Sequence, residues 1–224
     1  MSVPESAVGS AVGSAVVSDA VVSVLDAVPV MPVVVIERVA DAVPLARALV
    51  DGGLPAIELT LRTPAAMEAI AAIAAEVPEI LLGAGTITTP ADAEAAVAAG
   101  ARFLVSPGTT PTLITAMLGT GVPFLPGTAT VSEVLQVLEA GVTEMKFFPA
   151  EASGGAAYLK AVAGPVPQAR FCPTGGVSLA SAPGYLALPN VGCVGGSWIT
   201  PADAVDAGDW ARITELAAEA AALR

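Results

Sequence analysis

The sequence predicts an α/β protein folded as a (βα)8 TIM barrel with an N-terminal capping helix. Three observations carry that expectation. Short apolar runs recur every ~20–26 residues, long enough for one strand, one helix and two short loops. A helical stretch ending in Gly leads into a run, and a turn with Gly, Pro or Thr follows it, as in AVAAGARFLVSPGTTP and VLEAGVTEMKFFPAE. The runs number eight, and eight evenly spaced strand–helix units favour a closed parallel barrel over an open doubly wound sheet.

In chain order, the runs begin near Val33, Pro55, Ile80, Arg102, Pro123, Thr143, Ala169 and Val191. Ahead of them, residues 2–18 form a low-complexity stretch of Ser, Ala, Val and Gly. A helix over roughly residues 16–28 follows and ends before Pro29, because the residue preceding a proline is pushed out of the helical region. The chain is thus divided into an N-terminal segment with a capping helix, residues 1–30, and a barrel domain, residues 31–224. If the strands close into a barrel, the chemistry sits at their C-terminal ends.

Composition removes several function classes. Of 224 residues, 54% are hydrophobic and 13% charged, which excludes a disordered chain. Nine Lys and Arg against 21 Asp and Glu give a net charge of −12, so no basic surplus exists to neutralise a nucleic-acid backbone. The absence of His excludes a Ser-His-Asp triad, an imidazole base and a His-bound metal. Cys172 and Cys193, both in apolar runs, are too few for a zinc cluster or a disulfide scaffold and read as small buried hydrophobes. Gly, Pro or a charge cuts every apolar stretch before about 18 residues, and the first basic residue is Arg38. The expectation is a soluble cytoplasmic protein with no membrane and no nucleic-acid partner.

Barrel strands are buried on both faces and should be apolar, yet two carry charge. In residues 56–62 (AIELTLR), alternation puts Glu58, Thr60 and Arg62 on one face and Ile57, Leu59 and Leu61 on the other. The polar face then lines the barrel interior, unless Glu58 and Arg62 form only a structural pair. In residues 143–148 (TEMKFF), Glu144, Lys146 and Phe148 share a face. Lys160, the other lysine, falls on the polar side of a helix and reads as a surface charge. Lys146 stands mid-strand among Met145, Phe147 and Phe148, where an ammonium is poorly solvated. Desolvation favours the neutral amine, which attacks carbonyl carbon to give a Schiff base. The alternative is a stabilising pair with Glu144 or Glu58. Without His, proton transfer falls to a carboxylate. Glu58 is the best candidate, and the deeper Glu144 reads as a structural partner.

Two Gly-Gly pairs, Gly175-Gly176 and Gly195-Gly196, end the seventh and eighth strands. Loops there often bind phosphate through backbone amides, and paired glycines admit an oxyanion close to the chain; Ser197 adds a hydroxyl. Tight turns alone are the plainer reading, and Gly154-Gly155 carries little weight. Thr86 and Arg62 are placed to hold a substrate carboxylate, Arg62 as a bidentate fork.

The stretches IELTLRTP, GAGT, SPGTTP, MKFFPAEASGG, RFCPTGG and GGSW resemble, in this order and from about Met31 to Leu223, the class I 2-keto-3-deoxy-6-phosphogluconate (KDPG) and 4-hydroxy-2-oxoglutarate aldolases. The resemblance implies a Schiff-base lyase without metal or cofactor, splitting a small phosphorylated 2-keto acid into pyruvate and glyceraldehyde 3-phosphate in the Entner–Doudoroff pathway. It implies that Lys146 and Glu58 are catalytic, and that Arg62, Thr86 and Pro107 hold the carboxylate. Phe148 and Thr174 would line the pocket, and Gly175, Gly176, Gly196 and Ser197 would bind phosphate. It also implies a homotrimer. Alternatives are an aldolase for the galactonate epimer or for unphosphorylated 4-hydroxy-2-oxoglutarate, a barrel serving as subunit of a larger assembly, and a phosphate binder without lysine chemistry.

Overall fold

In the computed structural model, which describes residues 23–223, strands and helices alternate almost throughout. Strands β1 (Val30–Val34), β2 (Ala56–Thr60), β3 (Leu81–Gly85) and β4 (Phe103–Val105) are each followed by a helix: α1 (Val39–Asp51), α2 (Ala66–Glu76), α3 (Pro90–Ala98) and α4 (Pro111–Gly119). Then come β5 (Phe124–Leu125), β6 (Gly127–Thr128), α5 (Val131–Glu139), β7 (Glu144–Phe147) and α6 (Gly155–Val162). The chain ends with β8 (Arg170–Pro173), α7 (Ala182–Leu186), β9 (Val194–Gly196), α8 (Ala202–Ala207) and α9 (Trp210–Ala221).

Every strand pairing is parallel, so the chain is an α/β fold. One sheet runs β5-β4-β3-β2-β1-β9 and a second runs β6-β7-β8. Two bridges, Phe171 to Val191 and Thr174 to Gly195, join the free edges beside β8 and β9.

The fifth predicted strand is interrupted at Pro126, which is why nine strands stand where eight were expected. A proline has no N–H for a ladder. Its carbonyl still accepts from the Lys146 amide at 3.0 Å. The chain therefore leaves the β4 ladder with Leu125 and enters the β7 ladder with Gly127, in register with Lys146. Strand β1 begins at Val30 rather than Val33, and β9 at Val194 rather than Val191; the other strands begin within a residue of expectation.

Residues 1–22 and most of the predicted capping helix lie outside the described residues. Its described end is a single 3-10 turn, Val24–Asp26, whose Val24 and Leu25 are buried in the core. Arg170 of β8 binds Asp26 at 2.6 Å and Glu144 at 3.1 Å, pinning that turn under the strands.

Helix ends follow the sequence. Thr89 and Thr130 form capping boxes with Asp92 and Glu133, satisfying amides that a helix start leaves unpaired. Gly100, after α3, takes φ 106°, and its amide closes the turn on Val97 O. Inside, Phe103 fills the space over Gly83, where a Cβ would stand 2.1 Å from the ring. Phe147 packs edge-on to Phe171 and flat against Tyr158. Among the described residues no helix is long and apolar enough to cross a membrane.

Candidate active site

The charged strand positions meet. Lys146 Nζ on β7 lies 2.9 Å from Glu58 Oε1 on β2, with 7% and 2% of the two side chains exposed. These residues are 88 apart in sequence, and only the curvature of the sheets brings them together. The Lys146 ammonium also sits 5.3 Å from the Phe148 ring centroid, within cation–π range. Glycine makes room for the pair: a Cβ at Gly85 would stand 2.3 Å from Glu58 Oε1.

The other polar members of these strands go elsewhere. Thr60 donates to Val34 O at 2.9 Å and so ties β2 to β1. Glu144 accepts from Arg170 and Ser23 at the N-terminal end of β7, a structural partner as read but not one for Lys146. Lys160 is exposed on α6.

Four residues beyond Glu58 and two beyond Lys146, just past the ends of β2 and β7, Arg62 and Phe148 line a cavity of about 180 Å³. Thr174, Gly175, Gly176, Gly195 and Ser197 complete its polar and glycine wall, while Val33, Val35 and Val177 are apolar. Arg62 has no carboxylate partner among the described residues, so its fork is available to an anion. Gly175 and Gly176 both take positive φ, 100° and 83°. That conformation is open to glycine.

Gly196 does not line this cavity. A Cβ there would lie 2.3 Å from the Trp198 ring, so Gly196 packs against the indole. Its neighbour Gly195 faces the cavity instead, and a Cβ on it would strike Thr174 Oγ1 at 2.1 Å. Strand alternation through Trp198 would have separated the two glycines. The other lining residues unforeseen from sequence are Val33, Val35 and Val177, which a linear reading does not separate from core valines, although Val33 is half-buried and Val35 exposed.

Thr86 and Pro107 are outside the cavity lining, each next to a glycine of the strands that flank the ion pair. Thr86 follows Gly85 and holds φ 63°, a left-handed conformation that a β-branched residue rarely adopts. Strain of that kind collects at functional sites. Pro107 backs onto Gly127, the register partner of Lys146; a Cβ at Gly127 would lie 2.3 Å from Pro107 C. A larger cavity of about 510 Å³ opens at the N-terminal strand ends, between Leu118, Phe124 and Glu144, and holds none of the expected site residues. Among the described residues, no group of three or more His, Cys, Asp or Glu is placed to hold a metal ion.

Known proteins resemble this chain in sequence and fold. Residues 21–216 match the family described as "Aldolase: KDPG and KHG aldolase". The 2-dehydro-3-deoxy-phosphogluconate aldolase of Dickeya dadantii is 53% identical over 199 residues, 89% of this chain and 93% of that one. The KDPG aldolase structure from Legionella pneumophila, with pyruvate captured as a covalent carbinolamine, superposes with a TM-score of 0.86 at 48% identity. It covers 88% of this chain and 96% of its own. The Zymomonas mobilis KDPG aldolase with 3-phosphoglycerate gives a TM-score of 0.85 at 48% identity, covering 90% and 95%. By model, sequence and fold, the chain belongs to the KDPG and KHG aldolase family.

Proposed function

We propose that this protein is a class I aldolase that cleaves 2-dehydro-3-deoxy-6-phosphogluconate to pyruvate and glyceraldehyde 3-phosphate. The observation that carries the reading is the buried Lys146–Glu58 pair at 2.9 Å; neither residue lines the cavity of about 180 Å³, but Arg62 and Phe148, further along the same two chain segments, do, together with paired glycines.

The Lys146 amine attacks the C2 ketone to form a carbinolamine, which loses water to give an iminium ion. Glu58, directly or through water, takes the proton from the C4 hydroxyl. The C3–C4 electron pair moves into the iminium, leaving an enamine, and C4 departs as the aldehyde of glyceraldehyde 3-phosphate. Protonation at C3 and hydrolysis release pyruvate and free the amine. The iminium is the electron sink, so the chemistry needs no metal or cofactor.

Arg62 and Thr86 hold the carboxylate in this reading, and Pro107 shapes that side of the pocket through its contact with Gly127. Phe148 and Thr174 wall the substrate carbons. Gly175, Gly176 and Ser197 bind phosphate, with Gly195 in the place that Gly196 was expected to take. The carbinolamine in the Legionella pneumophila structure and the 3-phosphoglycerate in that of Zymomonas mobilis support the two halves of the assignment.

Incubation with pyruvate and borohydride tests it. Intact mass and peptide mapping are expected to find a single reduced pyruvyl adduct, on Lys146. An adduct on Lys160, or none, would sink the assignment.

We also read the strands as one closed (βα)8 barrel in residues 31–224. The two bridges between β8 and β9 and the passage of the chain through Pro126 support closure, since they link the two sheets at both edges. The working unit in this reading is a homotrimer. Leu118 and Leu135, 48% and 47% exposed on α4 and α5, offer apolar surface for it. Light scattering is expected to give a trimer mass; a mass of many trimers would favour a larger assembly.

A further inference from the structure

Two double-glycine turns face each other across one side chain. Gly154 and Gly155 hold φ 104° and 60°, opposite the left-handed Gly175 and Gly176. Between them stands Glu151, in the 3-10 turn Glu151–Ser153 that follows β7. A Cβ at Gly176 would lie 2.6 Å from Glu151 Cγ, so the 175–176 turn rests directly on this side chain. The Glu151 amide donates to Gly175 O at 3.1 Å, and the Ala150 amide to Thr174 O at 2.8 Å. On the far side, a Cβ at Gly155 would lie 3.1 Å from Tyr185 Oη and 3.5 Å from Glu151 Oε2.

Tyr185, on α7, closes the arrangement. It is buried, and its hydroxyl donates to Glu151 Oε1 at 2.7 Å. Burial, and then the carboxylate beside it, push that hydroxyl well above the ordinary tyrosine range, so it remains a donor across working pH. Two adjacent glycines do not fix their own turn, because glycine has the most backbone freedom to lose. The Ala150 and Glu151 amides hold the carbonyls of Thr174 and Gly175, and the Glu151–Tyr185 hydrogen bond fixes the side chain on which Gly176 rests. Neither Glu151 nor Tyr185 lines the cavity.

We propose that Glu151 and Tyr185 are positioning residues that hold the Gly175–Gly176 turn at the height where its amides meet the substrate phosphate. They thereby set the preference for phosphorylated over unphosphorylated 2-keto acids. This rests on the phosphate assignment given above. Preorganised donors bind an anion without first paying to order the loop.

Steady-state kinetics on 2-dehydro-3-deoxy-6-phosphogluconate and on 2-dehydro-3-deoxygluconate test the inference. Tyr185→Phe and Glu151→Ala are expected to raise KM for the phosphorylated acid about tenfold, leaving kcat and the KM for the unphosphorylated acid unchanged. Glu151→Gln keeps an oxygen for the Tyr185 hydroxyl and is expected to retain the wild-type KM. Borohydride trapping of pyruvate, which carries no phosphate, is expected at wild-type extent in every variant and shows that each has folded. An equal rise of KM on both acids, or a fall of kcat on both, overturns the inference. So does a phosphate preference that survives in both Tyr185→Phe and Glu151→Ala. A wild-type enzyme without that preference overturns the phosphate assignment, and the inference falls with it.

Discussion

Lys146→Ala is expected to abolish cleavage and to leave no pyruvyl adduct after borohydride treatment. No other lysine can replace it, because Lys160, the only other one in the chain, is exposed on α6. The same substitution is expected to lower stability. It strips the counter-ion from Glu58, whose side chain is 2% exposed, and removing one member of a buried pair costs about 3–5 kcal/mol. Against a typical domain stability of about 5–15 kcal/mol, the fold survives with a lowered melting temperature. Replacing both members by apolar residues, as in Lys146→Met with Glu58→Met, is expected to recover most of that loss while remaining inactive. Calorimetry of the single and double variants checks the stability half, and intact-mass trapping the chemical half. Residual cleavage by Lys146→Ala at a rate near wild type would end the Schiff-base reading.

Glu58→Gln is expected to slow turnover by about 10²–10⁴-fold, the usual contribution of a positioned general base. The amide keeps an oxygen within reach of the Lys146 amine and nearly the same volume, so the Gly85 wall should not shift. Trapping of pyruvate on Lys146 should therefore persist while retro-aldol cleavage falls. That split between adduct formation and bond breaking separates the roles of the two residues. A Glu58→Gln enzyme with full kcat would move the proton transfer to another group.

Much of this was legible in the sequence. The ~20–26-residue period gave the parallel α/β arrangement, because each unit must hold a strand and a crossover helix. Two charged strands in a chain that is 13% charged singled out Glu58, Arg62, Glu144 and Lys146. Period-two alternation then aimed Glu58 and Lys146 inward. Other features were not legible. Pro126 splitting one strand into two ladders depends on where the sheet curves, which a linear pattern does not encode. Gly154-Gly155 looked like an ordinary turn until the fold set it across Glu151 from Gly175-Gly176.

By itself, the sequence determined which residues are apolar, where helical stretches give way to strands, and which charges stand on strands that have no use for them. These are local properties, written in periodicity and side-chain chemistry. Only the tertiary structure decided that Lys146 meets Glu58 rather than Glu144, that Gly195 rather than Gly196 faces the cavity, and that Tyr185 reaches Glu151. Each of those depends on strand register and sheet curvature, which bring together residues far apart in the chain and are settled by the packing of the whole molecule.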